Sequence, residues 1–232
     1  MRDINLEIAP GSTVGIVGPT GAGKSMLISL LGRIYDPDEG AVYLDDHDLR
    51  QIKLTALRHS VAYVLQETLL FSMPLRGNIA LGNGDTSDHQ IYRAMEQARL
   101  TNDLPQLPKG LDSIVGERGA TLSGGQKQRT ALARALVRNP KVLILDDALA
   151  SVDMHTSAQI IDELRQSAGG AGRRTSIIVS QRMAAVRYAD KIVVLNEGQI
   201  VEEGDHDTLL ARHGLYAEMY HREIEQAQEV VA

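Results

Sequence analysis

The chain has 232 residues and a hydrophobic fraction of 43%, which is sufficient for one compact domain with a buried core. A formal net charge of −6, one Phe and no Trp argue against a nucleic-acid partner, because a basic surface and a set of stacking side chains are both lacking. Cysteine is absent, so disulfides and thiolate metal sites are excluded. No apolar run approaches the ~20 residues that a membrane-spanning helix requires.

Strands are predicted where apolar residues alternate with polar ones or form short continuous runs. In chain order, these segments are residues 4–8, 13–17, 40–46, 60–65, 142–145, 175–180 and 191–196. Residues 142–145 are apolar at every position, as expected for a strand that is covered on both faces of a parallel sheet. The sequence QIVEEG follows the turn signal NEG, which predicts a terminal hairpin.

Helices are predicted between the strands. One begins at Lys24, another follows Ser87 as its N-cap, and a third begins near Ser123. The apolar face of the third helix carries Leu132, Ala135 and Leu136. A last helix is predicted after residue 213, and its inward face carries Leu215, Met219 and Ile224. Strands and helices alternate at both ends of the chain while the middle is mostly helical, so we predict a split α/β domain with a helical insertion.

A glycine-rich segment lies between the strand at residues 13–17 and the first helix, and it matches the pattern G-x-x-x-x-G-K-[ST]. Its residues are Gly18, Pro19, Thr20, Gly21, Ala22, Gly23, Lys24 and Ser25. Glycines allow backbone amides to point at phosphate oxygens, and the helix N-terminus adds a partial positive charge. Lys24 would reach the outer phosphates, and Ser25 would offer its hydroxyl to Mg²⁺.

Asp146 follows the apolar run at residues 142–145, at the carboxyl end of a predicted buried strand. In an open α/β sheet, ligands bind at this end of the strands. Together with the glycine-rich segment, Asp146 is therefore predicted to hold the coordination shell of Mg²⁺ from the opposite side.

A second anion-binding pattern stands at the start of a helix and consists of Leu122, Ser123, Gly124, Gly125 and Gln126. A serine followed by two glycines exposes backbone amides and a hydroxyl at the positive end of the helix dipole. Because one molecule already has a phosphate loop, this second pattern suggests that two molecules share their nucleotides.

With these motifs the whole chain resembles the nucleotide-binding domain of ATP-binding cassette (ABC) transporters. Residues 18–25 match the Walker A motif, residues 142–146 the Walker B strand, Gln66 the Q-loop glutamine, and residues 122–126 the signature motif. The D-loop matches Ala150, Ser151, Val152 and Asp153, with the small pair reversed from the common Ser-Ala order. The segments QETLLFSMPLRGNIALG and VGERGATLSGGQKQR resemble the exporter branch, in which membrane and nucleotide domains are fused.

The resemblance implies a P-loop NTPase fold with a mostly parallel sheet and an antiparallel β element. Its RecA-like core would comprise residues 1–66 and 139–232, and its helical subdomain residues 67–138. The implied cofactors are ATP and Mg²⁺, with the metal held by Ser25, Gln66 and Asp146. The implied partners are a second nucleotide-binding domain, whose ATP the signature motif contacts, and the transmembrane domains of an exporter. The domain would therefore lie at the cytoplasmic face of a membrane.

Two catalytic positions depart from the family pattern. The general base, a Glu after the Walker B Asp, is replaced by Asp147, and the switch histidine is replaced by Gln181. Together with an intact signature, these changes resemble the degenerate half of a heterodimeric exporter, whose partner would be a different chain with the consensus Glu and His. We therefore expect slow hydrolysis at this chain's own site, where Asp147, Gln181 and Gln66 are the candidate catalytic residues.

Two further departures concern contacts rather than chemistry. Ile114 stands where exporters usually carry a Glu in the loop before the signature. No aromatic residue precedes Tyr35, although family members stack adenine on an aromatic upstream of Walker A. We therefore expect the chain to be a domain taken from a longer protein, without its adenine-stacking loop and its upstream transmembrane domain.

Three other functions share some of these motifs. A soluble ATP-dependent clamp of the chromosome-maintenance or repair type would need a long coiled coil between Lys24 and Asp146, and no sustained heptads occur there. A separate importer ATPase is disfavoured by the exporter-like segment after Gln66. A regulatory ATP sensor that never supports turnover is the third alternative. The transported substrate is not identified by the sequence.

Overall fold

The structure is a computed structural model that describes residues 1–166 and 174–229. Its strands are β1 (Thr13–Val17), β2 (Tyr43–Leu44), β3 (His47–Asp48), β4 (Val61–Val64), β5 (Val142–Asp146), β6 (Thr175–Val179), β7 (Lys191–Asn196) and β8 (Gln199–Gly204). Its helices are α1 (Lys24–Leu31), α2 (Leu54–Ser60), α3 (Leu75–Ala80), α4 (Asp88–Gln97), α5 (Gly124–Leu136), α6 (Met154–Gln166), α7 (Met183–Val186), α8 (His206–Ala211) and α9 (Leu215–Glu229). No helix in these ranges is long and apolar enough to cross a membrane.

The first of two compact units comprises Met1–Val61 and Thr175–Ala232. Within it, β1 lies between β6 and β7 and is parallel to both, while β8 pairs with β7 in the antiparallel direction. All five residues of β1 are buried, because β-branched Thr, Val and Ile side chains pack well on both faces of a covered sheet. The predicted terminal hairpin is confirmed by the pairing of β7 with β8.

The second unit comprises Ala62–Arg174. Within it, β4 and β5 are neighbours, and α5 packs against α3 and α4. The predicted apolar face of α5 is confirmed, because Leu132, Ala135 and Leu136 are all buried. This unit contains the whole of the predicted helical subdomain, residues 67–138, together with β5 and α6, and the subdomain boundaries stay a prediction.

Three local predictions need correction. Residues 4–8 form no strand, and the strand predicted at residues 40–46 is reduced to the two residues of β2. β2 pairs in the antiparallel direction with β3, which lies just beyond the predicted range. Among residues 215–226 of α9, Tyr216 and Ala217 are buried, the predicted Leu215 and Met219 are half-buried, and Ile224 is exposed. The alternation of residues 4–8 is a local signal, and strand formation also needs a neighbouring backbone to pair with.

The start of α9 is fixed by polar contacts. The carboxylate of Glu202 in β8 accepts hydrogen bonds from the backbone N–H groups of Leu215 (2.6 Å) and Tyr216 (3.1 Å). The fully buried Tyr216 shares a hydrogen bond of 2.7 Å with Nδ1 of His206, and its ring stacks on Tyr220. Burial raises the pKa of Tyr216 and lowers that of His206, so both side chains remain neutral at pH 7.

We expect Tyr216→Phe to lower the free energy of unfolding by about 1 kcal/mol, because the ring is kept while Nδ1 of His206 loses its buried partner. Urea titration of this chain measures the change. Tyr92→Phe is the matched control, since Tyr92 is 47% exposed and its hydroxyl can bind water in either state. Equal stability losses in the two variants would contradict the role of this hydrogen bond.

Candidate functional site

The Walker A loop, residues 18–25, leaves β1 and turns directly into α1. Gly18, Gly21 and Gly23 have φ values of 149°, 82° and 99°, which non-glycine residues rarely adopt. A Cβ atom on Gly18 would lie 2.0 Å from the backbone oxygen of Leu195, whereas a Cβ on Gly21 would meet nothing within 4 Å. The loop therefore packs tightly against β7 at Gly18 and is open at Gly21.

Lys24 is buried and folds back over the loop. Its Nζ donates hydrogen bonds to the carbonyl oxygens of Gly18 (2.7 Å) and Pro19 (3.0 Å). Ser25 is exposed in the first turn of α1, which contains no acidic residue, and the N-cap Gly23 has no side chain to occupy the terminal amides. This end of α1 is suited to an anion such as a phosphate group.

The turn between β7 and β8 is hydrogen-bonded to the Walker A loop. The backbone N–H of Gly198 donates to the carbonyl oxygen of Ala22 at 3.1 Å, and the N–H of Arg2 donates to the carbonyl of Gly198 at 3.0 Å. Sequence reasoning identified this turn only as a hairpin signal. Its contact with the loop depends on β7 lying beside β1.

Gln181 lies at the same edge of the sheet as the Walker A loop. It follows β6, whose Val179 is paired with Ile16 of β1, and the N–H of Ser180 donates to the carbonyl of Ile16 at 3.2 Å. The Gln181 side chain is exposed. Residue 181 and the phosphate loop therefore follow neighbouring parallel strands at their carboxyl ends.

The second unit carries the acidic positions. Asp146 is the last residue of β5, and Asp147 follows with a left-handed φ of 45°. Both residues are half-buried, and the carbonyl of Asp147 accepts a hydrogen bond from the N–H of Ala150. Gln66 is exposed two residues after β4, which is the neighbour of β5. Gln66 therefore follows β4 and Asp146 ends β5, and these two strands are neighbours in the sheet.

The signature motif begins α5. Ser123 is the N-cap: its hydroxyl accepts from the N–H of Gln126 at 3.2 Å, and the Gln126 side chain accepts from the N–H of Ser123 at 2.9 Å. The Gln126 amide also donates to Asp103, a buried carboxylate that pairs with Arg129 at 2.8 Å. Leu122 is buried, whereas Ser123 and Gly124 are exposed at the positive end of the helix.

The D-loop packs on the two glycines of the signature. A Cβ on Gly125 would lie 3.1 Å from the carbonyl oxygen of Ser151, and one on Gly124 would lie 3.2 Å from its Cβ. Gln128 of α5 accepts a hydrogen bond from the N–H of Ser151 at 2.8 Å. The glycines therefore permit close approach of the D-loop in addition to exposing amides.

Two other D-loop residues have structural contacts. Val152 is buried. Asp153 accepts a hydrogen bond from the N–H of Thr156 at 2.9 Å, and its hydrogen bonds with Thr156 hold the pKa of its carboxyl below the ordinary value. Asp153 therefore stays charged at neutral pH and binds a backbone amide of the first turn of α6.

Arg134 joins the signature helix to the segment that follows Gln66. Its guanidinium donates to the carbonyl oxygens of Leu69 (2.9 Å) and Asn78 (2.8 Å) and to the Asn78 side chain (3.1 Å). The fully buried Asn78 in turn bonds both the N–H and the carbonyl of Phe71, each at 2.9 Å. Burial lowers the pKa of Arg134 from a very high ordinary value, so it remains charged at neutral pH.

The residues match the chemistry of a magnesium nucleotide. In the first unit, the loop offers amides and Lys24 to phosphates, and Ser25 offers a hydroxyl oxygen of the hard type that Mg²⁺ prefers. Gln66 and Asp146 carry oxygens of the same type within the second unit. Ser25 belongs to the first unit, and Gln66 and Asp146 belong to the second.

The α/β architecture and the glycine-rich loop between β1 and α1 define a P-loop nucleotide-binding protein. The family model described as ABC transporter matches residues 1–150. The chain is 44% identical over 223 residues to a probable multidrug resistance ABC transporter ATP-binding/permease protein of Bacillus subtilis, covering 96% of this chain and 38% of the relative. It is 41% identical to an ATP-dependent lipid A-core flippase of Syntrophus aciditrophicus, covering 95% of this chain and 36% of that protein.

A solved structure of a bacterial Atm1-family ABC exporter with ATP bound aligns with a TM-score of 0.88 and 42% identity, over 94% of this chain and 38% of that one. The chain therefore belongs to the ABC transporter family, and it is similar to exporters within it. The predicted P-loop NTPase fold class is confirmed. Membership implies ATP binding, and the chain spans less than two fifths of the length of these relatives.

We expect Arg134→Lys to cost about 2 kcal/mol of stability in the second unit, because an ammonium cannot reproduce the fork of hydrogen bonds to Leu69 and Asn78. Amide exchange at residues 69–73 should accelerate in the same variant. Hydrogen exchange with mass spectrometry and urea titration measure the two effects. Arg93→Lys on the exposed face of α4 is the control, and unchanged exchange at residues 69–73 would refute the link.

Proposed function

We propose that this chain is the ATP-binding domain of an exporter, that it dimerises around ATP with a different chain, and that it hydrolyses its own ATP slowly. The observation that carries the proposal is the pair of Asp147 and Gln181 at the positions where the family resemblance implies Glu and His. The exporter activity, the membrane domains, the cytoplasmic location and the second chain are parts of the proposal, because the relatives extend well beyond the aligned domain.

The shorter acid supports slow hydrolysis. Replacing Glu by Asp withdraws the carboxylate by about one carbon–carbon bond, and a misplacement near 1 Å can cost about 10²-fold in rate. Loss of a positioned general base costs about 10²–10⁴-fold. Asp147 also occupies a left-handed backbone conformation, which Asp tolerates better than most residues do. The backbone at this position is therefore compatible with Asp, although its side chain is short.

The neutral amide supports the same conclusion. Gln181 is exposed beside the strand that leads into the Walker A loop, so it can offer hydrogen bonds to a bound nucleotide. It has no titratable group, and it cannot supply the positive charge that a protonated histidine would lend to the γ-phosphate. Water positioning and phosphate contact would both be weakened at this site.

Binding of ATP does not depend on these two positions. The phosphates would be held by the open loop and the buried Lys24, and Mg²⁺ by the exposed Ser25 and the half-buried Asp146. ATP would then remain bound through many cycles at the other site. Because a nucleotide between Walker A and an opposing signature favours the closed dimer, it would bias the conformational equilibrium.

The signature motif would act on the partner's ATP. Ser123 and Gly124 are exposed at the N-terminus of a thirteen-residue helix whose first turn contains no acidic side chain. Such an end attracts phosphate charge. Two residues of the helix hold it in place: Gln126 donates to Asp103, and Gln128 accepts from the N–H of Ser151, while Ser123 and Gly124 stay exposed.

The surface that would contact the membrane domain is apolar at Ile114, the position where exporters usually carry a Glu. Ile114 is 57% exposed and forms a β-bridge with Pro74, and Leu69 and Phe71 on the adjoining segment are 58% and 40% exposed. Arg134 and Asn78 fix that segment. Exposed apolar side chains on these two bridged segments fit a hydrophobic helix or loop of a permease domain.

The division of labour between the two sites can be tested in the reconstituted heterodimer. We expect Ser123→Arg to abolish most ATP turnover, because bulk and charge would enter the partner's phosphate site. Asp147→Asn should change turnover little, because the partner site performs most of it. Steady-state phosphate release measures both. The reverse ranking would mean that this chain hydrolyses its own nucleotide.

The holding role of the site is tested by restoring its missing groups. With the partner's general base disabled, we expect Asp147→Glu combined with Gln181→His to raise single-turnover phosphate release more than the two single changes together. The two groups act as a unit, so their effects are not additive. Lys24→Ala in the restored chain is the control for nucleotide binding. If the unmodified chain already cleaves ATP as fast as the restored one, the holding role is refuted.

A further inference from the structure

The C-terminal helix reaches the segment that carries Gln181. Oε2 of Glu223, in α9, accepts a hydrogen bond of 2.5 Å from the backbone N–H of Met183, the first residue of α7. The N-cap of α7 is Arg182, whose own side chain makes no capping hydrogen bond. A carboxylate forty positions further along the chain therefore binds the first amide of this short helix.

The segment around Gln181 is held on both sides. Before it, the N–H of Ser180 donates to Ile16 of β1 at 3.2 Å, and the Ser180 hydroxyl accepts from the N–H of Arg182 at 3.0 Å. After it, Met183 is buried and its N–H binds Glu223. The contact to Ile16 belongs to the sheet, whereas the contact to Glu223 depends on the position of α9.

The position of Glu223 is fixed by the rest of α9. Tyr216, Tyr220 and Glu223 are spaced i, i+4 and i+7, so they lie on one face of the helix. Tyr216 is fully buried, and both tyrosine rings contact His206 edge to face. Glu223 itself is half-buried, and Glu202 binds the first amides of α9. The carboxylate is therefore presented to Met183 from an anchored helix face.

We propose that Glu223 is a positioning residue for position 181, through which α9 sets the backbone that follows β6. The hydrogen bond that the Glu223 carboxylate accepts from the N–H of Met183 holds the start of α7, and this turn fixes the direction in which residue 181 leaves the sheet beside the Walker A loop. This inference rests on the proposed function, which gives position 181 its role at the nucleotide. It adds that the C-terminal helix α9 positions residue 181 for that role.

The first test measures the contact itself in this chain. We expect Glu223→Ala to accelerate amide exchange at residues 181–187 by about tenfold or more, since a hydrogen bond to a charged group is lost. Glu223→Gln keeps an acceptor oxygen of the same reach and should restore most of the protection. Glu225→Ala, an exposed change on the same helix, should exchange like the unmodified chain. Unchanged exchange in Glu223→Ala would overturn the proposal.

The second test measures ATP hydrolysis in the heterodimer that carries Asp147→Glu and Gln181→His and whose partner lacks its general base, so that only this site hydrolyses ATP. Glu223→Ala should lower single-turnover phosphate release by about tenfold at unchanged ATP affinity, and Glu223→Gln should recover most of the rate. Equal loss of affinity and rate, or no loss of rate, would overturn the positioning role. If the unmodified chain hydrolyses ATP rapidly, the proposed slow site fails, but the same Glu223 comparison can then be made in that chain.

Discussion

The phosphate loop depends on the absence of a side chain at residue 18. The carbonyl oxygen of Leu195 lies only 2.0 Å from the point where a Cβ would begin, so any other residue would force β1 and β7 apart or displace the loop. This close approach lets the chain leave β1, turn over the sheet edge and enter α1 within a few residues. The buried Lys24, the exposed Ser25 and the support from Gly198 all follow from that path.

Polar contacts hold the functional segments of the second unit. Three side chains of α5 make these contacts. Arg134 binds the segment after Gln66, Gln126 binds Asp103, and Gln128 binds the D-loop. Hydrogen bonds require defined directions as well as proximity, so they fix backbone positions more narrowly than apolar packing does. A single helix thus holds the signature motif and two neighbouring loops in one arrangement.

ATP binding and ATP turnover would make different demands on the proposed site, so a chain could keep binding and lose turnover. Phosphate binding is distributed over several amides, a lysine and metal ligands, and it tolerates small changes in any one of them. Turnover depends on a single carboxylate and one side chain near the γ-phosphate, each of which must lie within a fraction of an ångström of its proper position. In the proposed function, Asp147 and Gln181 would alter only the groups on which turnover depends.

The sequence by itself determined the features that depend on near neighbours. The buried strands, the helix starts at Lys24, Ser87 and Ser123, and the glycine-rich loop follow from periodicity, capping and turn chemistry within about four residues. The tertiary structure decided which distant groups meet. Arg134 binds Leu69, 65 positions away, and Glu223 binds Met183, 40 positions away. It also decided that Tyr216 is buried while Ile224 is exposed. Such partners are selected by the path of the whole chain, and no local pattern encodes that path.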